Sequence, residues 1–408
     1  MNSNSCSKIP FRLNRMEIAG SLGDLGGLLP LGMGMVLING LDASGFLLSV
    51  GVVYVYSGLY FGITSPVQPM KVIGAYALAN AVSNEQIQAA SLLAACVFLI
   101  IGVSGIADFA GRKTPLAVVR GVQTAIGLML IDQGARFIFG ISIYQQQMGT
   151  QEPYLSLQAV GGAPIGLILG GLGLILVMLL RKSKRYPAML LLIASGMMVS
   201  LIVGPSDAIQ SVAFGFHPPM LLPDGWPPLS DFVIALSALV LPQVPMTLGN
   251  AVIAQADLSK KYFGEASSKV TYKALCLSLG VCNLLVFLFG GMPLAHGAEG
   301  LAARYRFGAR SAGSNLFIGL IFILSALIFG DRVMAVLGLI PLSILGVLLM
   351  ITGLELVLNF RDLKHPQNVC MAVLVIALTF FFNLTIGFIA GLITAWILNF
   401  YRPHSRSR

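Results

Sequence analysis

Long apolar runs alternate with short polar connectors from near Glu17 to near Tyr401. A helix needs about 20 apolar residues to cross the hydrocarbon of a bilayer. Fourteen runs are candidates: 17–38, 45–64, 66–82, 87–108, 114–132, 159–180, 187–205, 229–256, 270–290, 294–308, 313–330, 333–357, 369–383 and 384–401. The third and tenth are too short and too broken to cross fully, and almost no connector separates the last two. With 56% hydrophobic and 10% charged residues, the chain carries far less charge than the roughly 25% of a soluble domain. Lipid must serve as part of its solvent, and the expected class is an all-α polytopic membrane protein.

The net charge of +9 invites a nucleic-acid reading, which the placement of the charges removes. If the N-terminus is cytoplasmic, Lys8, Arg12 and Arg15 lie inside, as do Arg112–Lys113, Arg181–Lys182, Lys184–Arg185, Lys260, Lys261, Lys269 and Lys273. Arg304, Arg306, Arg310, Arg361, Lys364, Arg402, Arg406 and Arg408 follow on the same side. Of the 25 basic residues only Arg136 and Arg332 fall outside, and Lys71 and Arg120 fall within spans. This is the positive-inside pattern, so the basic excess sets topology, both termini are expected in the cytoplasm, and no nucleic-acid partner is expected.

The stretch 204–229 holds Pro205, Pro218, Pro219, Pro223, Pro227 and Pro228 but no Lys or Arg, and reads as a stiff external loop. The expected organisation is a cytoplasmic N-terminus (1–16), a first seven-span repeat (17–205), an extracellular or periplasmic loop (206–228), a second inverted repeat (229–401) and a cytoplasmic tail (402–408). Met1–Arg15 is polar and basic, with no small-residue cleavage pattern after the first apolar run, so that run reads as a retained anchor. The short chain suggests a bacterial inner membrane.

Sliding the sequence by about 226 residues brings Pro115-Leu116 onto Pro341-Leu342 and Gly127-Leu128-Met129-Leu130 onto Gly353-Leu354-Glu355-Leu356, the pattern of an internal repeat. Pro66 falls one residue from Pro293. Two repeats of seven spans have opposite orientations because seven is odd. Inverted repeats mark secondary transporters, whose substrate sits at the midplane between broken helices in corresponding positions. Here these are the third and tenth spans.

The third opens Thr64-Ser65-Pro66-Val67-Gln68-Pro69-Met70-Lys71. Either Ser65 caps with Gln68 in a capping box, or Gln68 caps with Pro69 first in the helix. Both put a helix N-terminus inside the bilayer, where its N–H groups and positive dipole end favour an anion. Lys71 would share a face with Gln68. A lysine there costs roughly 2.5–3.5 kcal/mol and needs a partner: an anion, or a carboxylate such as Asp24 or Glu299.

The tenth opens Gly290-Gly291-Met292-Pro293-Leu294-Ala295-His296-Gly297-Ala298-Glu299-Gly300, whose small residues let backbone approach a ligand. His296 either donates to an oxyanion or caps the helix. Glu299 either carries a coupling proton or is a helix-start carboxylate paired with Lys71 or Arg304. In the eighth span Gln243, Thr247 and Asn250 share one helical face, which must look inward. Asp24, in the first, is a coupling candidate or a structural carboxylate. Arg304, Arg306 and Arg310 read as interfacial anchors or as a gate for anion exit.

Catalytic motifs are absent: no GxSxG, HExxH or Walker loop occurs. His217, His296, His365 and His404 are scattered, and Cys6, Cys96, Cys276, Cys282 and Cys370 lack metal spacing, reading as small buried hydrophobes. No enzyme, cofactor or metal site is expected.

Pro66–Lys71 resembles the signature of the molybdate transporter family within the sulfate permease superfamily. Phe289–Ser311, FGGMPLAHGAEGLAARYRFGARS, is similar to that family's second signature, and Pro242–Ala254, PQVPMTLGNAVIA, to another of its segments. The chain departs from the family pattern at Ser65-Pro66, where Met-Pro is usual, at Ala295, where cysteine is usual, and at Glu299, where glycine is usual.

The resemblance implies the fold of sulfate and nucleobase permeases, seven plus seven inverted spans. Spans 1–4 and 8–11 would form a core that slides like an elevator past a gate of spans 5–7 and 12–14, and the gate would form a homodimer. It also implies a symporter that holds molybdate, or tungstate, between two half-helix starts. The ligand set would be Gln68, Pro69, Met70, Lys71, Ala295, His296, Gly297, Ala298, Gln243 and Asn250, with a coupling proton on Asp24 or Glu299. A permease for sulfate or another oxyanion is the nearest alternative, and a nucleobase permease or an anion channel lies further off.

Overall fold

The computed structural model describes residues 9–106, 115–180, 183, 187–204 and 215–400, without the side chains of 331, 334, 336 and 398–400. Expectations resting on Cys6, Lys8, Arg112, Lys113, Arg181, Lys182, Lys184, Arg185, 205–214 or the tail 402–408 lie outside the described residues.

The first half runs α1 (Arg15–Ser21), α2 (Leu25–Asn39), α3 (Ala43–Phe61), β1 (Gln68–Pro69), α4 (Lys71–Asn80), α5 (Asn84–Ser104), α6 (Leu116–Phe139), α7 (Ile143–Met148), β2 (Ala159–Val160), β3 (Ala163–Pro164), α8 (Ile165–Leu180) and α9 (Ala188–Val203). The second half opens on a long helix, α10 (Leu229–Ser267). It continues through α11 (Tyr272–Phe289), β4 (Leu294–Ala295), α12 (Ala298–Arg306), α13 (Ala312–Phe329), short α14 (Val333–Leu337), α15 (Leu342–Leu358), α16 (Pro366–Phe381) and α17 (Leu384–Phe400). Both halves place a short strand and a half-length helix after their second span. Gly62 and Gly290 end α3 and α11 with φ of 73° and 71°, the left-handed turn that releases the chain into β1 and β4.

The three most extensive helix pairings are α6 with α15, α3 with α13, and α5 with α11. Each joins the two halves. In the first, Gly127 and Gly353 meet backbone to backbone. A Cβ on Gly127 would lie 2.6 Å from the Gly353 carbonyl oxygen, and one on Gly353 would lie 2.4 Å from that of Gly127. Gly134 and Gly346 repeat this one level away. The glycines superposed by the sequence shift therefore face each other across the junction of the halves, as small residues do where membrane helices pack closely.

Several span limits differ from the hydropathy reading. The first span breaks into α1 and α2 before Asp24, the N-cap residue of α2. The fifth runs on to Phe139, because Asp132 and Arg136 pair one turn apart (Nε–Oδ2 2.7 Å) and continue the helix beyond the apolar run. Residues 159–164 form a hairpin, β2 with β3, ahead of α8. The twelfth starts at Leu342, since Pro341 occupies the N-cap and the Glu152 carboxylate accepts from the Leu342 and Ser343 N–H groups, each at 2.8 Å. α10 contains two wider π segments, Ala235–Val240 and Leu248–Ala254, on either side of Pro242 and Pro245. Cys276 and Cys282 are buried as expected, whereas Cys96 and Cys370 are exposed on helix surfaces, which lipid tolerates for a small apolar side chain.

Candidate functional site

The two half-helix starts are joined by strand pairing. β1 and β4 run antiparallel with Gln68 opposite Ala295 and Pro69 opposite Leu294. The Met70 N–H donates to the Pro293 carbonyl at 2.9 Å. Upstream, Ile63 bridges to Ser311, and the Thr64 N–H donates to Arg310 at 3.1 Å. Prolines suit this pairing because they favour extended neighbours and lack an N–H to leave unsatisfied.

The strand replaces both expected caps, the Ser65–Gln68 capping box and Gln68 ahead of Pro69. The N-cap of α4 is Met70, with no side-chain cap. The Ser65 N–H donates to Asn315 Oδ1 at 3.0 Å, and its hydroxyl has no hydrogen-bond partner among the described residues. Gln68, being in the strand, does not share a helical face with Lys71. Both prolines also fit a first helical turn, and only the distant partner strand decides between the two.

The two helix starts are finished differently. Gln243 Oε1, on α10, accepts from the Val72 and Ile73 N–H groups of α4 at 2.8 and 3.2 Å, and Gln243 Nε2 donates to Thr247 Oγ1 at 2.7 Å. At α12 the N-cap is Gly297, with no side-chain cap. The Gln68 carboxamide lies against this start: a Cβ on Gly297 would come 2.1 Å from Gln68 Oε1, and one on Gly300 would come 2.8 Å from its Nε2. Asn250 Nδ2 would stand 3.6 Å from the same Gly297 Cβ. Gly297 and Gly300 thus make room for Gln68.

Charges complete the picture. Lys71, the first residue of α4, pairs through Nζ with Glu299 Oε2 near the start of α12. Asp24 has other partners: it accepts from Val67 N–H at 3.3 Å and from Arg304 Nη1 at 3.1 Å. Arg304 also donates to Thr64 Oγ1 (2.9 Å), the Ser21 carbonyl (3.1 Å), Ser314 Oγ (3.1 Å) and Asn315 Oδ1 (2.8 Å). Its side chain is wholly buried. This corrects the reading of Arg304 as an interfacial anchor or exit gate: α12 is so short that its last turn still lies within the protein. Arg306 is exposed and donates to the Ser183 carbonyl, while Arg310 stacks on Tyr305 with its guanidinium carbon 3.4 Å from the ring centre.

His296 is enclosed. Nδ1 meets the Pro66 carbonyl at 3.0 Å, Nε2 meets Ser278 Oγ at 2.9 Å, and Phe61 packs edge-on at 5.6 Å. As a neutral ring it donates from Nδ1 and accepts at Nε2, which engages both nitrogens within the scaffold.

A cavity of about 500 Å³ opens here, lined by Asp24, Gln68, Lys71, Glu299, Thr352 and Glu355, among others. A smaller one of about 270 Å³ is lined by Arg120, Gln123, Asn250, Glu299 and Asn359, among others. Thr352, Glu355 and Asn359, from α15 and just after it, and Arg120 and Gln123 from α6 are not among the site residues expected from the sequence. The available signal was that Arg120 and Glu355 are ionisable residues inside apolar runs, where such residues face a cavity.

Two half-helix starts, paired through β1 and β4, border a charged cavity in a mostly helical chain whose fold is that of solved anion transporters. The chain superposes on the transmembrane domain of a cyanobacterial bicarbonate transporter, BicA, with a TM-score of 0.66, 17% identity, and coverage of 94% of this chain and 99% of that one. Murine Slc26a9, an anion transporter in the inward-facing state, gives a TM-score of 0.68, 16% identity and coverage of 96% and 69%.

Sequence narrows the class. The family model described as molybdate transporter of the MFS superfamily matches residues 16–130 and 235–356. Molybdate transporter 2 of Arabidopsis thaliana is 32% identical over 396 residues, covering 88% of this chain and 82% of that protein. The chain belongs to the molybdate transporter family and has the fold of the sulfate permeases. It is an integral multi-pass transport protein rather than an enzyme.

Proposed function

We propose that the chain is a secondary transporter of a tetrahedral oxyanion, molybdate, bound where α4 and α12 begin. The observation that carries this reading is the β1–β4 pairing, which brings two helix starts and Lys71 to one cavity. The first N–H groups of α12, at Ala298, Glu299 and Gly300, have no acceptor one turn earlier and lie at the positive end of the helix. The Gln68 and Asn250 carboxamides stand beside them, and Lys71 supplies the countercharge. Gln243 already holds two α4 N–H groups, so α4 contributes Lys71 and its field. Pro69, Met70, Ala295 and His296 line neither cavity and would support the site from behind through the strand pairing.

Lys71 and Glu299 neutralise each other in this structure. A proton on Glu299 frees Lys71 for the anion, which makes Glu299 the coupling group; Asp24 is held by Arg304. Coupling has a purpose, because a negative interior of 100 mV opposes a dianion by about 4.6 kcal/mol. In this reading α1–α5 and α10–α13 move as an elevator core past α6–α9 and α15–α17, which also form a homodimer contact. The cytoplasmic side holds both termini. A plant relative gives no support to the bacterial inner membrane expected from the sequence.

Purified protein in liposomes should take up labelled molybdate with saturation and in response to a pH gradient. Equal competition by excess sulfate transfers the assignment to a general oxyanion permease. Flux that does not saturate points to a channel.

A further inference from the structure

Arg120 lies one turn into α6 and lines the smaller cavity. Its Nη1 donates to Gln123 Oε1 at 2.7 Å and its Nη2 to Asp362 Oδ2 at 2.5 Å. Its Nε is buried and has no hydrogen-bond partner among the described residues. Buried donors in folded proteins are nearly always satisfied, so an orphaned one on a cavity wall calls for an explanation. The same wall carries the Gln123 and Asn250 side chains, and it shares Glu299 and Asn359 with the larger cavity at Lys71. The two cavities therefore adjoin, with Glu299 between them.

The geometry points to a second oxyanion station, in which Arg120, flanked by Gln123 and Asn250, binds the anion on its way to or from Lys71. The inference rests on the oxyanion-transport reading and adds a ligand that moves with α6 rather than with α4 and α12. A guanidinium presents parallel N–H groups that match two oxygens of a tetrahedral anion, and the free Nε–H supplies one of them. Asp362 is the built-in competitor. Its carboxylate holds Nη2 and is 52% exposed, so it can turn into solvent when an anion arrives.

The cavity lining extends to Leu116, at the start of α6, and Asn359, just after α15, so the station serves the face where those ends lie. The test is molybdate transport measured separately from each face in vesicles of defined orientation. Arg120→Gln should raise the half-saturation concentration about tenfold on that face and leave the opposite face within about twofold. Asp362→Asn should lower the value on that face by about twofold or more, since it removes the competitor. Unchanged values on both faces, or equal shifts on both, overturn the station. Should Arg120→Gln fail to fold, Asp362→Asn decides alone, and an unaltered value on both faces refutes it. A wild-type protein that moves neither molybdate nor sulfate removes the transport reading itself, and this station with it.

Discussion

The Arg304 guanidinium and the Asp24 carboxylate meet at 3.1 Å, with both side chains wholly shielded from solvent. The pair ties the break in the first span to the end of α12. Removing one partner of a buried pair leaves a charge uncompensated, at about 3–5 kcal/mol. Asp24→Asn should therefore lower the thermal stability of the detergent-purified protein sharply. An Asp24→Asn protein as stable as wild type, but with altered pH dependence of uptake, would return Asp24 to the coupling role.

Lys71 and Glu299 make a different prediction, because their pair borders a cavity. Lys71→Ala should abolish uptake or reduce it more than tenfold while the protein remains folded, since a dianion loses its countercharge. Glu299→Gln should keep transport but flatten its dependence on pH. Wild-type flux through Lys71→Ala, or an unmoved pH profile in Glu299→Gln, removes the respective residue from the mechanism.

Gln243 separates a structural role from proximity to the anion. Gln243→Leu strands the Val72 and Ile73 N–H groups, at a cost of about 1–3 kcal/mol, readable as a lower melting temperature. Gln243→Glu keeps an acceptor there but adds negative charge. Molybdate affinity should then fall at least about tenfold in a folded protein, through like-charge repulsion. Equal affinity would place the bound anion elsewhere.

Glu152 gives a pH test outside the membrane-spanning helices. Burial pushes its carboxyl above the ordinary 4.5, against the opposing hydrogen bonds from Ser343 and Leu342. A raised value in the folded protein means that this group's contribution is complete below pH 4.5 and is lost as pH rises through the folded value. Glu152→Gln should remove that slope from stability measured between pH 4.5 and neutrality. Glu152→Ala uncaps α15 and should cost about 1–2 kcal/mol. A slope equal to wild type in Glu152→Gln would assign the titration to another group.

Much of the fold was legible because the signals are local. Pro66, Pro69 and Pro293 interrupt apolar runs, which located both half-helices, and Gly127 and Gly353 marked the repeat. Four relationships were not legible. Arg304 follows a broken span beside Arg306 and Arg310, and spacing alone cannot tell a buried guanidinium from an anchored one. Gln243 was read as one of an inward-facing polar set, but its aim at the α4 start depends on how α10 packs. His296 stands in a motif whose small neighbours suggest a ligand, and the acceptor it meets, the Pro66 carbonyl, is backbone that no residue pattern reveals. Arg120 and Glu355 reach the cavity from helices remote in sequence. In each case a tertiary partner decides the role.

The capping of α4 by Gln243, with no side-chain counterpart at α12, has a consequence for directionality. An anion bound as proposed draws its helix-start N–H donors from α12 and not from α4, so the two halves would serve it unequally. Under the proposed elevator motion, such a carrier would meet unlike surroundings at its two stopping points, and its outward and inward resting positions would differ in energy. Even without a gradient, the empty and loaded protein should each favour one face.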